Sequence, residues 1–370
     1  MGKHVTALCH FHKCTVLVVL VTVCTVLCYV GAAVTYEQDA ALLDLVDIVP
    51  AAVDWSGDGI LDLLASTRSG EVYVLETAEG LLEPAFTAIY ALSYRENGAD
   101  VPIKHTLEQI TPRFDVVDWD GDGLLDLLVA GESLAIYWYK AALAQGGSRI
   151  LLPPSLLRFS DGSPLTFPVC TNSLQPVGLR VVDWDQDDDL DIALGLNECY
   201  YLQNVGTRLD PLFVKPARWD TDSWCREEGG SFHDYYLFSL SGHSVVPNVG
   251  DWNGDGSLDV LLGFAWRYSG ETTTHGYVVM RLNHGTNRNP SFPDDAVRPW
   301  PKAQFLRTCP WCEPIEIGTY STAYPVDINN DGWIDLLVGG DGALRLYVRT
   351  SNSRLELAWE LEHSGSSKKP

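Results

Sequence analysis

The stretch Asp118-Trp-Asp-Gly-Asp-Gly-Leu-Leu-Asp126 runs directly into the apolar segment Leu127-Leu-Val-Ala-Gly131, and this combination decides the fold. It occurs five times, and we number the copies loop 1 (54–62), loop 2 (118–126), loop 3 (183–191), loop 4 (251–259) and loop 5 (327–335). Each copy carries oxygen-bearing side chains at positions 1, 3, 5 and 9 and continues into a short apolar run. The repeated unit is therefore an acidic turn joined to a strand.

Oxygen-bearing side chains at alternate positions of a tight turn indicate a site for a hard cation, because Ca2+ takes about six to eight oxygen ligands. Position 6 is glycine in four of the loops, which suits a backbone with positive φ. We therefore predict up to five Ca2+ sites. Their predicted side-chain ligands are Asp54, Ser56, Asp58, Asp62, Asp118, Asp120, Asp122, Asp126, Asp183, Asp185, Asp187, Asp191, Asp251, Asn253, Asp255, Asp259, Asp327, Asn329, Asp331 and Asp335.

Two loops depart from the pattern, and we expect them to bind Ca2+ least tightly. Ser56 at position 3 of loop 1 is a weaker ligand than a carboxylate or an amide. Asp188 replaces glycine at position 6 of loop 3, which costs about 1 kcal/mol in the left-handed backbone region. Loss of metal should therefore begin at these two loops.

Three other interpretations of the loops compete with this one. The first is an acidic surface turn without a metal, which would not explain five copies in one register. The second is an EF-hand, which needs glutamate at position 12 and a following helix. The third is a dockerin-type loop, which also continues into a helix. Both helical interpretations are weak, because position 12 is apolar and the segments that follow are short runs typical of buried strands. The position 12 residues are Ala65, Val129, Leu194, Leu262 and Val338.

The spacing of the loops predicts a repeat architecture. The first aspartates lie at positions 54, 118, 183, 251 and 327, so successive copies are 64, 65, 68 and 76 residues apart. Each unit has an entering strand, the loop, an apolar strand, a turn and an aromatic-rich strand. A polar turn with a further short strand closes the unit, as in 204–213 and 283–292. We predict an all-β fold, a β-propeller of about five four-stranded blades over residues 35–370, in which 36–47 adds the outer strand of the last blade.

The loops, the segment Leu336-Leu-Val-Gly-Gly340 and the turn Asn204-Val-Gly-Thr207 resemble the FG-GAP/VCBS repeat family, which includes the propeller of integrin α chains. The resemblance covers nearly everything after residue 35. It implies that the loop carboxylates are Ca2+ ligands on the hairpins of the blades. The family usually has seven blades, whereas this chain has five loops.

The net charge of −24 is largely explained by the loops, whose four ligand positions hold 17 aspartates. These carboxylates repel one another without a metal, so folding should depend on Ca2+. Such an acidic chain argues against binding to nucleic acid.

Residues 1–34 have the pattern of a targeting segment. Lys3 and Lys13 precede an uncharged apolar run over 14–34, and Gly31-Ala-Ala33 is a small-residue cleavage site. The segment is either a cleaved signal peptide or an uncleaved anchor of a type II membrane protein. Both alternatives place residues 35–370 outside the cell or in the secretory lumen, with membrane contact only through this segment.

Five cysteines lie beyond this segment, and an oxidising compartment favours disulfides among them. The pairing cannot be derived from the sequence, but Cys170 with Cys199 is our first expectation. Cys309-Pro-Trp-Cys312 is expected to form a local loop staple, which leaves Cys225 free or in an intermolecular bond.

No catalytic residues are predicted, because the chain has no nucleophile elbow, HExxH motif or P-loop. The first hypothesis is a non-enzymatic, Ca2+-stabilised propeller that binds a protein or a glycan. A propeller-fold carbohydrate-active enzyme and a structural piece of a larger assembly are the alternatives. Rigid aromatics in the insertions of later units would either bind the partner or cover blade edges. These are Trp219, Trp224, Tyr235, Tyr236, Trp266, Trp300 and Trp311. The tryptophans at loop position 2 are expected to be structural.

Overall fold

The computed structural model describes residues 48–105, 111–131, 135–166, 178–195, 199–215, 236–238, 243–266, 273–292, 305–340 and 343–362. These residues form an all-β propeller with 23 strands. The predicted targeting segment 1–34 lies outside the described residues. Within the described residues, no helix is long and apolar enough to cross a membrane.

Five sheets each contain one acidic loop, which joins the first two strands. Sheet 1 has β1 (Val49–Val53), β2 (Asp62–Ser66), β3 (Val72–Thr77) and β4 (Phe86–Ala91). Sheet 2 has β7 (Arg113–Val117), β8 (Asp126–Ala130), β9 (Ile136–Tyr139) and β12 (Ser155–Leu156). Sheet 3 has β13 (Gly178–Val182), β14 (Asp191–Gly195), β15 (Cys199–Leu202) and β16 (Tyr236–Phe238). Sheet 4 has β17 (His243–Gly250), β18 (Asp259–Trp266) and β19 (His275–Arg281). Sheet 5 has β20 (Ser321–Val326), β21 (Asp335–Gly340), β22 (Ala343–Ser351) and β23 (Arg354–Glu362).

A sixth sheet carries no acidic loop. It joins two hairpins, β5 (Ser93–Glu96) with β6 (Ala99–Pro102) and β10 (Ala141–Leu143) with β11 (Arg149–Leu151). The hairpins meet where β11 pairs with β5 in parallel. Leu151 of sheet 6 packs in the same apolar core as residues of sheets 1 and 2. The predicted number of blades, about five, is therefore wrong, because the described residues form six sheets and one of them has no acidic loop.

The strand after each loop is a central, buried strand, as its apolar sequence predicts. It begins at loop position 9, where the aspartate pairs with the last residue of the entering strand, as Val53 does with Asp62. All five residues are buried in β2, β8 and β14. The side chains at loop position 2 are buried as well, which confirms their structural role. They are Trp55, Trp119, Trp184, Trp252 and Ile328.

The entering strands of the five loop-bearing sheets contact one another in a closed circle, in the order β1, β7, β13, β17, β20 and back to β1. The first and last sheets are joined by polar contacts as well as apolar packing. The Thr322 hydroxyl donates to the carbonyl of Ile48 over 3.0 Å, and the Trp359 indole N–H donates to the carbonyl of Leu81 over 2.6 Å. The ring is thus closed by side chains more than 270 residues apart in sequence.

Two predictions about outer strands need correction. The stretches 204–213 and 283–292 are turns, in which the buried amides of Asn204 and Asn283 accept backbone N–H groups. Only an isolated bridge joins Asn204 to Phe213. The outer strand of sheet 5 is β23, whereas the predicted contributor, 36–47, lies outside the described residues.

Adding a methyl group at Gly339 should destabilise the ring closure. An ideal Cβ there lies 2.3 Å from the carbonyl oxygen of Ile48, and backbone cannot move aside cheaply. We expect Gly339→Ala to lower the free energy of unfolding by about 1–3 kcal/mol in urea denaturation. Ser353→Ala, in the exposed turn before β23, is the control and should change it by less than about 0.5 kcal/mol. Equal stability of the two variants would contradict close packing between the first and last sheets.

Candidate functional site

The aspartate at loop position 9 has the same hydrogen-bond pattern in all five loops. One carboxylate oxygen accepts a backbone N–H from within the loop, donated by Ser56 in loop 1 and by the position 2 residue elsewhere, over 2.8–3.2 Å. The other oxygen accepts a backbone N–H near or just beyond the end of the third strand over 2.6–3.0 Å. This carboxylate, which we call the clip aspartate, ties the loop to the third strand. The clip aspartates are Asp62, Asp126, Asp191, Asp259 and Asp335.

The clip aspartates are fully buried. Burial raises the pKa of Asp126 to about 6 and that of Asp191 to about 7, while the N–H donors that bind these carboxylates act in the opposite direction. Burial also raises the pKa of Asp259 and Asp335. At these four aspartates the N–H donors favour the charged carboxylate, whereas burial favours the neutral acid.

The aspartates at positions 1 and 5 shape the turn itself. In loop 1, the Asp54 carboxylate accepts N–H groups of Gly57, Asp58 and Gly59 over 2.7–3.0 Å. The Asp58 carboxylate accepts the N–H of Ile60 over 2.9 Å. The position 5 bond recurs in every loop. These bonds hold the carboxylates at the surface end of the hairpin.

Two positions of every loop have a positive φ, which explains their glycines. Position 6 has φ between 71° and 88°, and Asp188 adopts this conformation as the sequence predicts. Position 4 also has a positive φ, from 56° to 80°, which the sequence analysis missed. The signal was present, because position 4 is glycine in loops 1, 2 and 4, and asparagine in loop 5. An added Cβ at Gly59 or Gly256 would meet no atom within 4 Å, so φ and not space selects glycine there.

In loops 2 and 3, the side chains at positions 1, 3 and 5 converge as a cation site requires. Asp118, Asp120 and Asp122 each bring a carboxylate oxygen within 4.8 Å of the others, and loop 3 does the same with its equivalent residues. The Oδ1 atoms of Asp118, Asp120 and Asp185 are buried and have no hydrogen-bond partner among the residues that the structure describes. A buried carboxylate oxygen without a donor is costly, and a bound cation would satisfy it. These two loops therefore fit Ca2+.

Loops 4 and 5 have a different arrangement at position 3. The side-chain NH2 groups of Asn253 and Asn329 donate to Asp255 and Asp331 over 2.8 Å, and their Oδ1 atoms accept the backbone N–H at position 5. In loop 1, Ser56 leaves two carboxylates among positions 1, 3 and 5. The predicted order of affinity among the loops remains a prediction.

One residue outside the repeated motif lies against position 3. This residue comes directly before the residue whose backbone N–H binds the clip aspartate. In loop 2 it is Lys140, whose ammonium contacts the carboxylate of Asp120 and lies 3.0 Å from that of Asp122. In loop 3 it is Gln203, whose amide donates to Asp185 over 2.7 Å. Sequence analysis missed this role, because the residue lies at the end of the third strand.

Arginines from one sheet also reach the loop of the preceding sheet. Arg208 donates to the carbonyl of Asp118 over 2.5 Å, and Arg288 donates to the carbonyl of Asp185 over 3.0 Å. Arg349 donates to the carbonyl of Trp252 over 2.6 Å and lies over its ring. Loops 2, 3 and 4 are therefore each held by an arginine of the next sheet.

Most of the predicted partner-binding aromatics lie outside the described residues. Trp219, Trp224, Tyr235 and Trp300 lie outside them, while Tyr236 begins β16 and Trp266 ends β18. Trp311 is described and is 87% exposed.

Of the predicted disulfides, only the local one lies wholly in the described residues. Cys309 and Cys312 are joined, which confirms the loop staple beside Trp311. Cys170 and Cys225 lie outside the described residues, so the pairing of Cys170 with Cys199 remains a prediction.

A family model described as an FG-GAP-like repeat matches residues 118–194, which include loops 2 and 3. With the propeller architecture, this confirms the predicted FG-GAP repeat resemblance. No curated protein matches the sequence significantly.

Solved propellers are similar over most of the chain. One is a lectin from Agrocybe aegerita, described as recognising non-reducing terminal N-acetylglucosamine. The two sequences are 15% identical, the match covers 85% of this chain and 80% of the lectin, and the TM-score is 0.38. Another is BBS1N in complex with ARL6DN, with 12% identity, 89% and 86% coverage, and a TM-score of 0.37. Similarities this low support no inference about ligands.

Replacing Asp188 with glycine should stabilise the protein. Its φ of 71° disfavours any residue with a Cβ, so Asp188→Gly should raise the free energy of unfolding by about 1 kcal/mol in urea denaturation with Ca2+ present. Asp188→Asn removes the same charge but keeps the Cβ, and it should give a smaller increase. A gain from the asparagine variant equal to that of the glycine variant would assign the effect to charge instead of φ.

Exchanging the side chains at Lys140 and Gln203 should shift the metal affinities of loops 2 and 3 in opposite directions. The Lys140 ammonium competes with a cation for Asp120 and Asp122, so Lys140→Gln should strengthen Ca2+ binding at loop 2 roughly tenfold. The reciprocal Gln203→Lys should weaken loop 3 by a similar factor. Isothermal titration calorimetry with CaCl2 measures both changes. Unchanged titrations for both variants would show that this position does not control affinity.

Proposed function

We propose that this FG-GAP-repeat propeller is a non-enzymatic recognition module, stabilised by Ca2+, that binds a protein or glycan partner outside the cytosol. The observation that carries the Ca2+ assignment is the convergence of three carboxylates in loops 2 and 3, with buried oxygens that lack hydrogen-bond partners. The residues at positions 1, 3 and 5 would hold the ion, with carbonyls and water completing its oxygen ligands.

The metal would act on stability through charge. Each loop concentrates carboxylates at the end of one hairpin, and clustered carboxylates repel one another when no cation is bound. A divalent cation neutralises that repulsion, and any ligand that binds only the folded state stabilises it. The arginine contacts between Arg208 and loop 2, and between Arg288 and loop 3, would extend this effect across neighbouring sheets.

A recognition role is supported by the rigid framework and by the absence of a catalytic motif in the sequence. The closed circle of entering strands holds the loops and turns of every sheet in fixed positions. Loops held by a rigid scaffold commonly carry binding residues. Trp311 is such a candidate, since its indole is largely exposed and the Cys309–Cys312 disulfide restrains the backbone that carries it.

The proposed location outside the cytosol is supported by the sequence of residues 1–34. The charge pattern of residues 1–34 would direct residues 35–370 into the secretory pathway. Expression in a secreting cell with a C-terminal tag tests this. Tagged protein in the medium, or in a protease-protected compartment, is expected, whereas tagged protein confined to the cytosol would reject the location.

Chelation of Ca2+ should lower the stability of the fold. A site at 100-fold excess over its Kd contributes about 2.7 kcal/mol, so EDTA should lower the melting temperature by roughly 5 °C or more. Re-addition of Ca2+ should restore it better than Mg2+, which binds such flexible oxygen sites poorly. Differential scanning calorimetry measures this, with Asp120→Asn and Asp185→Asn together as a variant that should respond less to Ca2+. A melting temperature that does not change when EDTA is added would exclude the Ca2+ assignment.

The binding proposal needs a screen for partners in both classes. The full chain with Ca2+ should capture a protein from an extracellular extract or a glycan from an array. Empty results in both screens, together with hydrolase or lyase activity on a polysaccharide, would replace this function with the enzymatic alternative.

A further inference from the structure

A cavity of about 930 Å³ lies beside loop 1, between β4 of sheet 1 and the two hairpins of sheet 6. Its walls include Trp55 of the loop, Glu76 of β3, Tyr90 of β4 and Arg149 of β11. Ligand sites in proteins have volumes of about 300–1,000 Å³, so this cavity is large enough for a small molecule or the end of a larger one. It depends on sheet 6, the described sheet that lacks an acidic loop.

Arg149 differs from the arginines that reach the other loops. Arg208, Arg288 and Arg349 each donate to a carbonyl of the preceding loop. The Arg149 guanidinium lies over the Trp55 ring, 3.8 Å from its centroid, but it forms no hydrogen bond or ion pair with any described residue. Its N–H donors thus remain available at the cavity wall, while its flat face is held by the tryptophan.

The other polar groups of the wall complement these donors. The Tyr90 hydroxyl donates to one carboxylate oxygen of Glu76 over 2.8 Å, and the second oxygen accepts no hydrogen bond from a described residue. The Tyr90 side chain is 39% exposed, so part of its ring is available to a ligand. Arg95 and Asp100, also on the wall, pair with each other over 2.7 Å and leave no net charge. The wall therefore offers free donors, a free acceptor and an aromatic surface.

The charges of the wall select against a charged ligand. A carboxylate ligand would approach Arg149 but would also meet Asp54 and Glu76, which line the same cavity. A cationic ligand would meet the Arg149 guanidinium. A neutral polyhydroxyl ligand avoids both penalties, because each hydroxyl accepts from a guanidinium and donates to a carboxylate at the same time.

We propose that this cavity is a binding site for a neutral sugar residue, held by Arg149 and Glu76 and packed against Tyr90. This inference rests on the proposed recognition function, and it assigns that function a site and a ligand class. Trp311 does not line this cavity.

The test uses the full chain with Ca2+ and an array of neutral and acidic glycans, followed by calorimetry with the best neutral glycan. Each charged hydrogen bond to the ligand carries enough free energy that Arg149→Lys and Glu76→Gln should each weaken binding about tenfold. Arg208→Lys alters an arginine of the same kind outside the cavity and is the control, which should change the Kd by less than about twofold. Trp311→Ala tests the alternative site at the exposed tryptophan and should leave the Kd unchanged if the cavity holds the glycan. Melting temperatures of all variants check that each is folded.

The outcomes separate this proposal from the one on which it rests. The cavity assignment would be overturned if only Trp311→Ala weakened the binding of the neutral glycan, or if every variant bound it with the same Kd. The recognition function would remain intact in both cases. Binding of acidic glycans alone, or capture of a protein or peptide without any glycan, would overturn the ligand class and also leave that function intact. Failure to bind any glycan or protein would overturn both proposals.

Discussion

The buried carboxylate at the last position of each acidic loop is the contact on which the rest of the propeller depends. It accepts one N–H from the loop and another from the end of the third strand, so a single side chain sets the geometry of three strands. Because the group is buried, an oxygen that loses its N–H donor is left without a hydrogen bond and away from water, which is costly. The same tie is made by five equivalent aspartates, from Asp62 to Asp335.

The positions of the loop motif have two different structural roles. The ninth position organises the sheet, while positions 1, 3 and 5 form the surface turn where a cation fits. The residue facing position 3 then differs from loop to loop, as Lys140 and Gln203 illustrate. Equivalent loops can therefore have different affinities for metal although their backbones are alike, since electrostatics at short range depends on one neighbouring charge.

Sheet 6 shows how a repeat fold acquires a distinct surface. The five loop-bearing sheets follow one plan, and their arginines are occupied by neighbouring carbonyls. Where two hairpins are added between sheets 1 and 2, the equivalent guanidinium of Arg149 keeps its donors free and faces a cavity. Unused donors beside an aromatic surface are a better guide to a binding site than the exposed aromatic Trp311 alone.

The sequence by itself determined the all-β class, the strand after each loop, the left-handed residue at position 6 and the burial of tryptophans such as Trp184, because these follow from local spacing and backbone preference. It also determined the local Cys309–Cys312 bond. The sheet number was decided only by tertiary structure, since the parallel pairing of Leu151 with Tyr94 joins segments without any repeated motif. The contacts of Lys140 and Arg149 were also beyond the sequence, because a side chain's neighbours across sheets depend on packing and not on periodicity.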